Sequence, residues 1–148
     1  TLGQQMAFRN ELDDVIAVAR ANGRIDDPVV RQRIADAHAG LEIMRWNTLR
    51  VLSGPEGAPP PPATMITKLY WANWHRSLGE LAVDVLGAEA TLADQVVAPG
   101  AGYELTAAQR LFLFTRSDTI YAGSNQIQRN IIGERALGLP PEPKIATR

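Results

Sequence analysis

Val30, Ile34, Ala37, Leu41, Met44, Thr48 and Val51 form a mostly apolar series whose steps alternate between four and three residues. Only a helix gathers such a series on one side, because steps of three and four return a side chain to the same face of a 3.6-residue period. A stripe of that length needs neighbouring helices to cover it. Asp26-Asp27-Pro28 supplies a start, with Asp as the cap and Pro in the first turn, and Gly54 ends the run. The rest of the chain must therefore furnish helical partners.

It has them. Leu2 to about Arg20 carries Leu2, Met6, Leu12, Val15, Ile16 and Ala19 at helical spacing, and Asn22-Gly23 suits its C-terminal end. Pro55 to Pro62 is too rich in proline for a helix interior and reads as a stiff, extended connection in preference to a proline-motif ligand. A third helix is expected from about Ala63 to Leu86, with Ile66, Tyr70, Trp74, Leu78, Leu81 and Val85 on one face. Trp71 sits off that face, placed to fill an interface. Aromatics at this spacing read as core before they read as a ligand pocket. Gly87 to Leu105, rich in Gly, Ala and Asp, is expected to be a long loop, and Thr106-Ala-Ala-Gln109 is a capping box opening a helix with Leu111, Phe112 and Phe114. No stretch alternates as a strand does, and no internal repeat is visible. The expected class is all-α: an up-and-down helical bundle of four main helices plus a short C-terminal helix, one domain across residues 1–148.

Composition narrows the function classes. Hydrophobic residues make up 45% and charged ones 21%, enough to build a core, while a net charge of -1 gives no case for nucleic acid or an anionic membrane surface. No apolar run approaches a membrane span, and no signal-peptide pattern opens the chain. The absence of cysteine excludes disulfides and thiolate metal sites and fits a reducing compartment, so a cytoplasmic location is expected. His38 and His75 fall on separate predicted helices with no carboxylate or second His at ligand spacing. They read as solvated or packed histidines, and no metal site is expected. Neither a Ser-His-Asp arrangement nor a glycine-rich nucleotide loop after a strand is present.

The segment Thr119 to Arg135 has a different character. Gly123 breaks the preceding helical run, and Ser124 or Asn125 has the chemistry of an N-cap. Ile127, Ile131 and Ile132 give the next helix one apolar face, Gly138 suits its end, and Pro140-Pro141 prevent continuation. A glycine before a capped helix start aims several N–H groups at one spot, a geometry that binds phosphate or another anion. It is also an ordinary helix–turn–helix joint, and by physics alone that is the commoner outcome.

The wording of this segment resembles a known family. Tyr121-Ala-Gly-Ser-Asn-Gln-Ile-Gln-Arg129, followed by Ile-Ile-Gly-Glu-Arg-Ala-Leu-Gly, is similar to the C-terminal signature of the acyl-CoA dehydrogenases, and the remaining helices look like the C-terminal domain of that family. The resemblance implies a flavoenzyme that desaturates an acyl-CoA thioester between Cα and Cβ, with FAD as cofactor. The chain would then be the C-terminal fragment of a longer protein, inactive by itself. It also implies assembly as a homo- or hetero-oligomer (dimer or tetramer), with an electron-transfer flavoprotein as redox partner. The family's wording is close to Tyr-Glu-Gly-Thr, and its Glu is commonly the catalytic base. Ala122 stands at that position, so no catalytic side chain is expected here, although the Ala122 N–H can still meet the thioester carbonyl.

By the same resemblance Tyr121 would lie by the isoalloxazine and acyl chain, and Gly123 would permit close backbone approach to the cofactor. Ser124 and Gln126 would face its nucleotide portion. Arg20, ahead of Asn22-Gly23, is the nearest counterpart of an arginine that reaches a neighbouring subunit's flavin pyrophosphate, and is equally a dipole-complementing residue at a helix end. The family's Gln-x-x-Gly-Gly-x-Gly loop appears as Asp84 to Ala90, with Gly87 retained and a carboxylate unsuited to a pyrophosphate. The expected place for the missing base is the helix just upstream of Thr1. The alternatives are a non-catalytic subunit of a heteromeric dehydrogenase, or a freestanding helical interaction module.

Overall fold

The computed structural model describes residues 2–55, 57–92, 104–141 and 143. Among them are five α-helices and no strand: α1 (Leu2–Ala21), α2 (Pro28–Leu52), α3 (Thr67–Leu86), α4 (Ala107–Asp118) and α5 (Asn125–Ile131). Local chemistry sets most of the boundaries. Asp27 caps α2 by accepting from the N–H of Val29 at 2.8 Å, with Pro28 at the first helical position. Thr106 and Gln109 form the reciprocal capping box of α4, Gln109 N–H donating to Thr106 Oγ1 at 3.2 Å and Thr106 N–H to Gln109 Oε1 at 2.8 Å. Ser124, the first of the two cap candidates, opens α5.

Three expectations shift. The third helix is α-helical only from Thr67, because Pro62 begins a 3₁₀ turn that runs to Ile66 and leaves Ile66 exposed. Past α3, Gly87–Thr91 is a 3₁₀ turn and not loose loop, while residues 93–103 of the expected long loop lie outside the described residues. The C-terminal helix passes through a π-helical turn at Ile132–Ala136 before Gly138, and its most buried side chain is Gln128, with Ile127 exposed.

The core gathers Phe8, Leu12, Val15 and Ala19 from α1, Val30, Leu41 and Met44 from α2, and Trp74, Leu78, Leu81 and Val85 from α3. Full burial of each large apolar side chain contributes about 1.5–3 kcal/mol. The α2–α3 crossing is tight: Trp74 Nε1 donates to the Ala37 carbonyl at 2.8 Å, Tyr70 donates to the Gly40 carbonyl at 3.2 Å, and a Cβ at Gly40 would lie 2.6 Å from Trp74 Cδ1. On its other side α3 meets α4 over Gly79. The central position of α3 brings the end of α4, and the segment after it, against α1 and the first half of α3.

Candidate functional site

α4 ends at Asp118, and the loop that follows turns back on itself: the N–H groups of Ile120 and Tyr121 both donate to the Ser117 carbonyl, at 2.9 and 3.0 Å. The next two residues have positive φ, +52° at Ala122 and +93° at Gly123. Glycine adopts that conformation freely; alanine there costs on the order of 1 kcal/mol. The strain is held by Gln128, itself 9% exposed, whose amide reaches back to donate to the Ala122 carbonyl at 3.2 Å. A Cβ on Gly123 would lie 2.7 Å from that same amide nitrogen, so the glycine also answers a packing need inside the loop. The N–H groups of Ala122 and Gly123 have no acceptor among the described residues. Around them Ile120, Tyr121 and Ile127 are exposed apolar surface.

Tyr121, Gly123, Ser124 and Gln126 therefore lie together, with Gln126 exposed and Ser124 engaged as the helix cap. Arg20 is not with them. It is exposed in the last turn of α1, whose end is tied to the end of α3 by Asn22 donating to the Val85 carbonyl at 2.8 Å. The loop sits instead by the first half of α3, where Asn125 donates to Asn73 at 2.9 Å and Lys68 reaches Asp118. Lys68 and Val85 are about 25 Å apart along a helix rising 1.5 Å per residue. Asp84, in the degenerate glycine loop, pairs with Arg33 at 2.5 Å, and Gly87 has φ +64°.

Behind the loop lies a buried polar cluster that sequence reasoning missed. His75 has two carboxylate neighbours where local spacing offers none: Nδ1 lies 2.6 Å from Asp118 Oδ2 and Nε2 lies 2.8 Å from Glu11 Oε2. The other Asp118 oxygen accepts from the Tyr121 hydroxyl at 2.9 Å, and the Asp118 carbonyl accepts from Lys68 Nζ at 2.5 Å. Lys68 Nζ also lies 5.5 Å and 5.6 Å from the ring centres of Trp71 and Tyr121. Trp71, expected at an interface, is half-buried between Phe8 and Tyr121. Burial pulls the His75 pKa down, but hydrogen bonding and charge from Glu11, then Asp118, outweigh it and leave it raised. Burial, then the hydrogen bond to Asp118 and its charge, raise that of Tyr121; burial lowers that of Lys68 against the pull of Asp118. His38, by contrast, is exposed beside Arg9. Among the described residues no group of three His, Asp or Glu side chains is placed to hold a metal ion.

Comparison with known proteins gives concordant matches. A family model described as "Acyl-CoA dehydrogenase, C-terminal domain" matches residues 1–137. The acyl-CoA dehydrogenase IpdE1 of Mycobacterium tuberculosis is 48% identical over 145 residues, covering 97% of this chain and 35% of that protein. The IpdE1 of Mycolicibacterium smegmatis is 44% identical over 144 residues, covering 97% and 34%. The chain thus spans about a third of the length of these curated relatives. A solved structure described as the ChsE4-ChsE5 complex from Mycobacterium tuberculosis superposes with a TM-score of 0.69 at 27% identity, over 92% of this chain and 36% of that one.

Proposed function

The chain belongs to the acyl-CoA dehydrogenase family, as its C-terminal helical domain, and on that premise we propose that it is one wall of the active site of an FAD-dependent enzyme that desaturates an acyl-CoA thioester. The parent in this reading is a longer protein, with the sequence beyond this chain supplying the remaining walls. The observation that carries the reading is the loop at residues 119–124. Two N–H groups without acceptors among the described residues stand in an exposed apolar setting, held by a strained backbone. Apolar surface with a pair of fixed donors suits a flat ring with a polar edge and a thioester carbonyl beside it.

The chemistry requires removal of a proton α to the carbonyl and departure of a hydride from Cβ; a bound flavin would supply the hydride acceptor. In this reading the Ala122 N–H donates to the thioester oxygen, stabilising the enolate-like charge that develops as the proton leaves. Tyr121 lies along the acyl chain and excludes water, while Gly123, Ser124 and Gln126 border the cofactor. Arg20, at the far end of α1, extends toward a neighbouring subunit's pyrophosphate. Ala122 has no ionisable group, so the base comes from another element, proposed to be the helix upstream of Thr1. Oxidation of the reduced cofactor by an electron-transfer flavoprotein and an oligomeric parent belong to the same reading and rest on the family, and a cytoplasmic location joins them from the lack of cysteine.

A second reading has one observation in its favour. Ala122 in the common base position also fits a non-catalytic subunit, and one similar solved structure is described as the ChsE4-ChsE5 complex. The test is turnover of the flavin-loaded parent with an artificial electron acceptor across a panel of acyl-CoAs. Desaturation by the parent in isolation supports the enzyme. Flavin retained but turnover absent until a second, homologous subunit is added supports the non-catalytic role.

A further inference from the structure

Glu11, Lys68, His75 and Asp118 take no direct part in the reaction above, yet they are brought together from three helices at the root of the loop. His75 is 4% exposed and Asp118 fully buried. The Phe8 ring centre lies 4.4 Å from the imidazole, and Trp74 stacks near-parallel to it. Both ring nitrogens face carboxylate oxygens, and an imidazole can donate to two acceptors only when it carries both protons. The charged groups facing it are Glu11 from α1 and Asp118 from α4, with Lys68 from its own helix beyond Asp118 and the Tyr121 phenol from the loop. Two carboxylates, one imidazolium and one ammonium balance in charge around the buried His75 and Asp118, with Glu11 and Lys68 partly exposed.

Connectivity gives the cluster a direction. His75 fixes one oxygen of Asp118, the other oxygen fixes the Tyr121 hydroxyl, and Tyr121 is bonded to Ala122, the first of the two left-handed residues. We propose that His75 is a positioning residue: acting through Asp118, it anchors Tyr121 and so holds the Ala122 and Gly123 N–H groups in place without touching any ligand. The purpose of that order, donors preorganised for a thioester oxygen, rests on the function proposed above. A merely structural His75 would contribute to core stability and leave the loop indifferent to its protonation.

Backbone ¹⁵N relaxation of the full chain separates the two, with imidazole ¹⁵N shifts following His75, one of only two histidines. In the wild type, Ala122 and Gly123 are expected to be rigid, with S² of about 0.85, while His75 carries both protons, and to loosen toward about 0.6 as it deprotonates with rising pH. Tyr121→Phe should loosen both residues at every pH, and His75→Gln should do likewise. Should His75→Gln fail to fold, the Tyr121→Phe variant and the wild-type titration carry the test, since neither replaces the imidazole side chain. Ala122 and Gly123 staying equally ordered in Tyr121→Phe, or across the His75 titration, would overturn the proposal. The measurement needs neither flavin nor acyl-CoA, so its outcome is independent of whether the parent is a dehydrogenase.

Discussion

Gln128 donates its side-chain amide to the Ala122 carbonyl at 3.2 Å, reaching back from α5 to the loop before it. It lies two residues beyond Gln126, the amide singled out by resemblance, and unlike Gln126 it is buried. The bond fixes the peptide following Ala122, and a Cβ on Gly123 would have to displace that amide as well as adopt a φ of +93°. Loop conformation here is thus specified by α5 as well as by Tyr121 and Asp118.

Gly123→Ala should destabilise the chain by about 1–3 kcal/mol, combining left-handed strain with a contact too close to Gln128. Part of the cost is shared with Gln128, so the Gly123→Ala/Gln128→Ala double variant should lose less than the sum of the two single ones. Urea unfolding of all four proteins measures this; strict additivity would show that the two positions do not interact.

The buried histidine makes stability depend on pH in a definite sense. Its folded-state pKa is raised above the unfolded value near 6.5, so its contribution is complete below that value and is lost as pH rises through the higher folded one. The stability difference between wild type and His75→Gln should therefore shrink as pH rises from the unfolded value through the higher folded one, with a slope of at most about 1.4 kcal/mol per pH unit. Chemical denaturation at several pH values checks the sign. A difference that grows with pH would mean that the histidine is buried neutral.

Much of the fold was legible because its signals are local. Asp27-Pro28, the Thr106–Gln109 box and Ser124 each satisfy orphan backbone donors within a few residues, so the helix starts they specify are readable. The faces were harder. α3 is packed on two sides, and a single stripe of Tyr70, Trp74, Leu78, Leu81 and Val85 misses the side that faces α4, where Gly79 lies. For the same reason α4 buries Gln109, Thr115 and Asp118, with Phe114 left exposed: helices this close leave room for small or hydrogen-bonded side chains. His75 and Asp118 are separated by 43 positions, and neither periodicity nor ligand spacing relates residues so far apart. A polar residue ending a helix just before the signature was the available signal, and Asp118 is such a residue.

That close approach is testable at Gly79. A Cβ there would press on Thr115 Oγ1 and lie 3.1 Å from the Phe112 Cα, which is backbone and cannot yield easily. Gly79→Ala should cost about 1–3 kcal/mol despite alanine's better helix propensity. Gly3→Ala, with nothing within 4 Å of the new carbon, should be neutral or slightly stabilising. Equal midpoints for the two variants would contradict the packing described here.

Thr106→Ala should lower stability by about 1 kcal/mol through loss of the cap. Gln109→Ala should cost more. It breaks the reciprocal half of the box and removes the donor shared by the Ala90 and Leu92 carbonyls, at 2.8 and 2.7 Å. Thermal melts of the two variants rank them, and the reverse order would mean that the cap alone holds this corner.

The proposed dehydrogenase site is lined by this domain and takes its base from outside residues 119–124. It is tested most directly by the rate at which acyl-CoA bleaches the flavin of the loaded parent carrying Ala122→Glu, measured anaerobically beside the wild type. A second carboxylate at the reacting carbon should compete with the resident base and raise the pKa of one of the pair, disturbing proton transfer. Bleaching by the wild type is expected, with a rate at least about tenfold lower in the variant. A silent wild type with bleaching gained in Ala122→Glu would contradict it, because the position would then be lacking the only base the site needs.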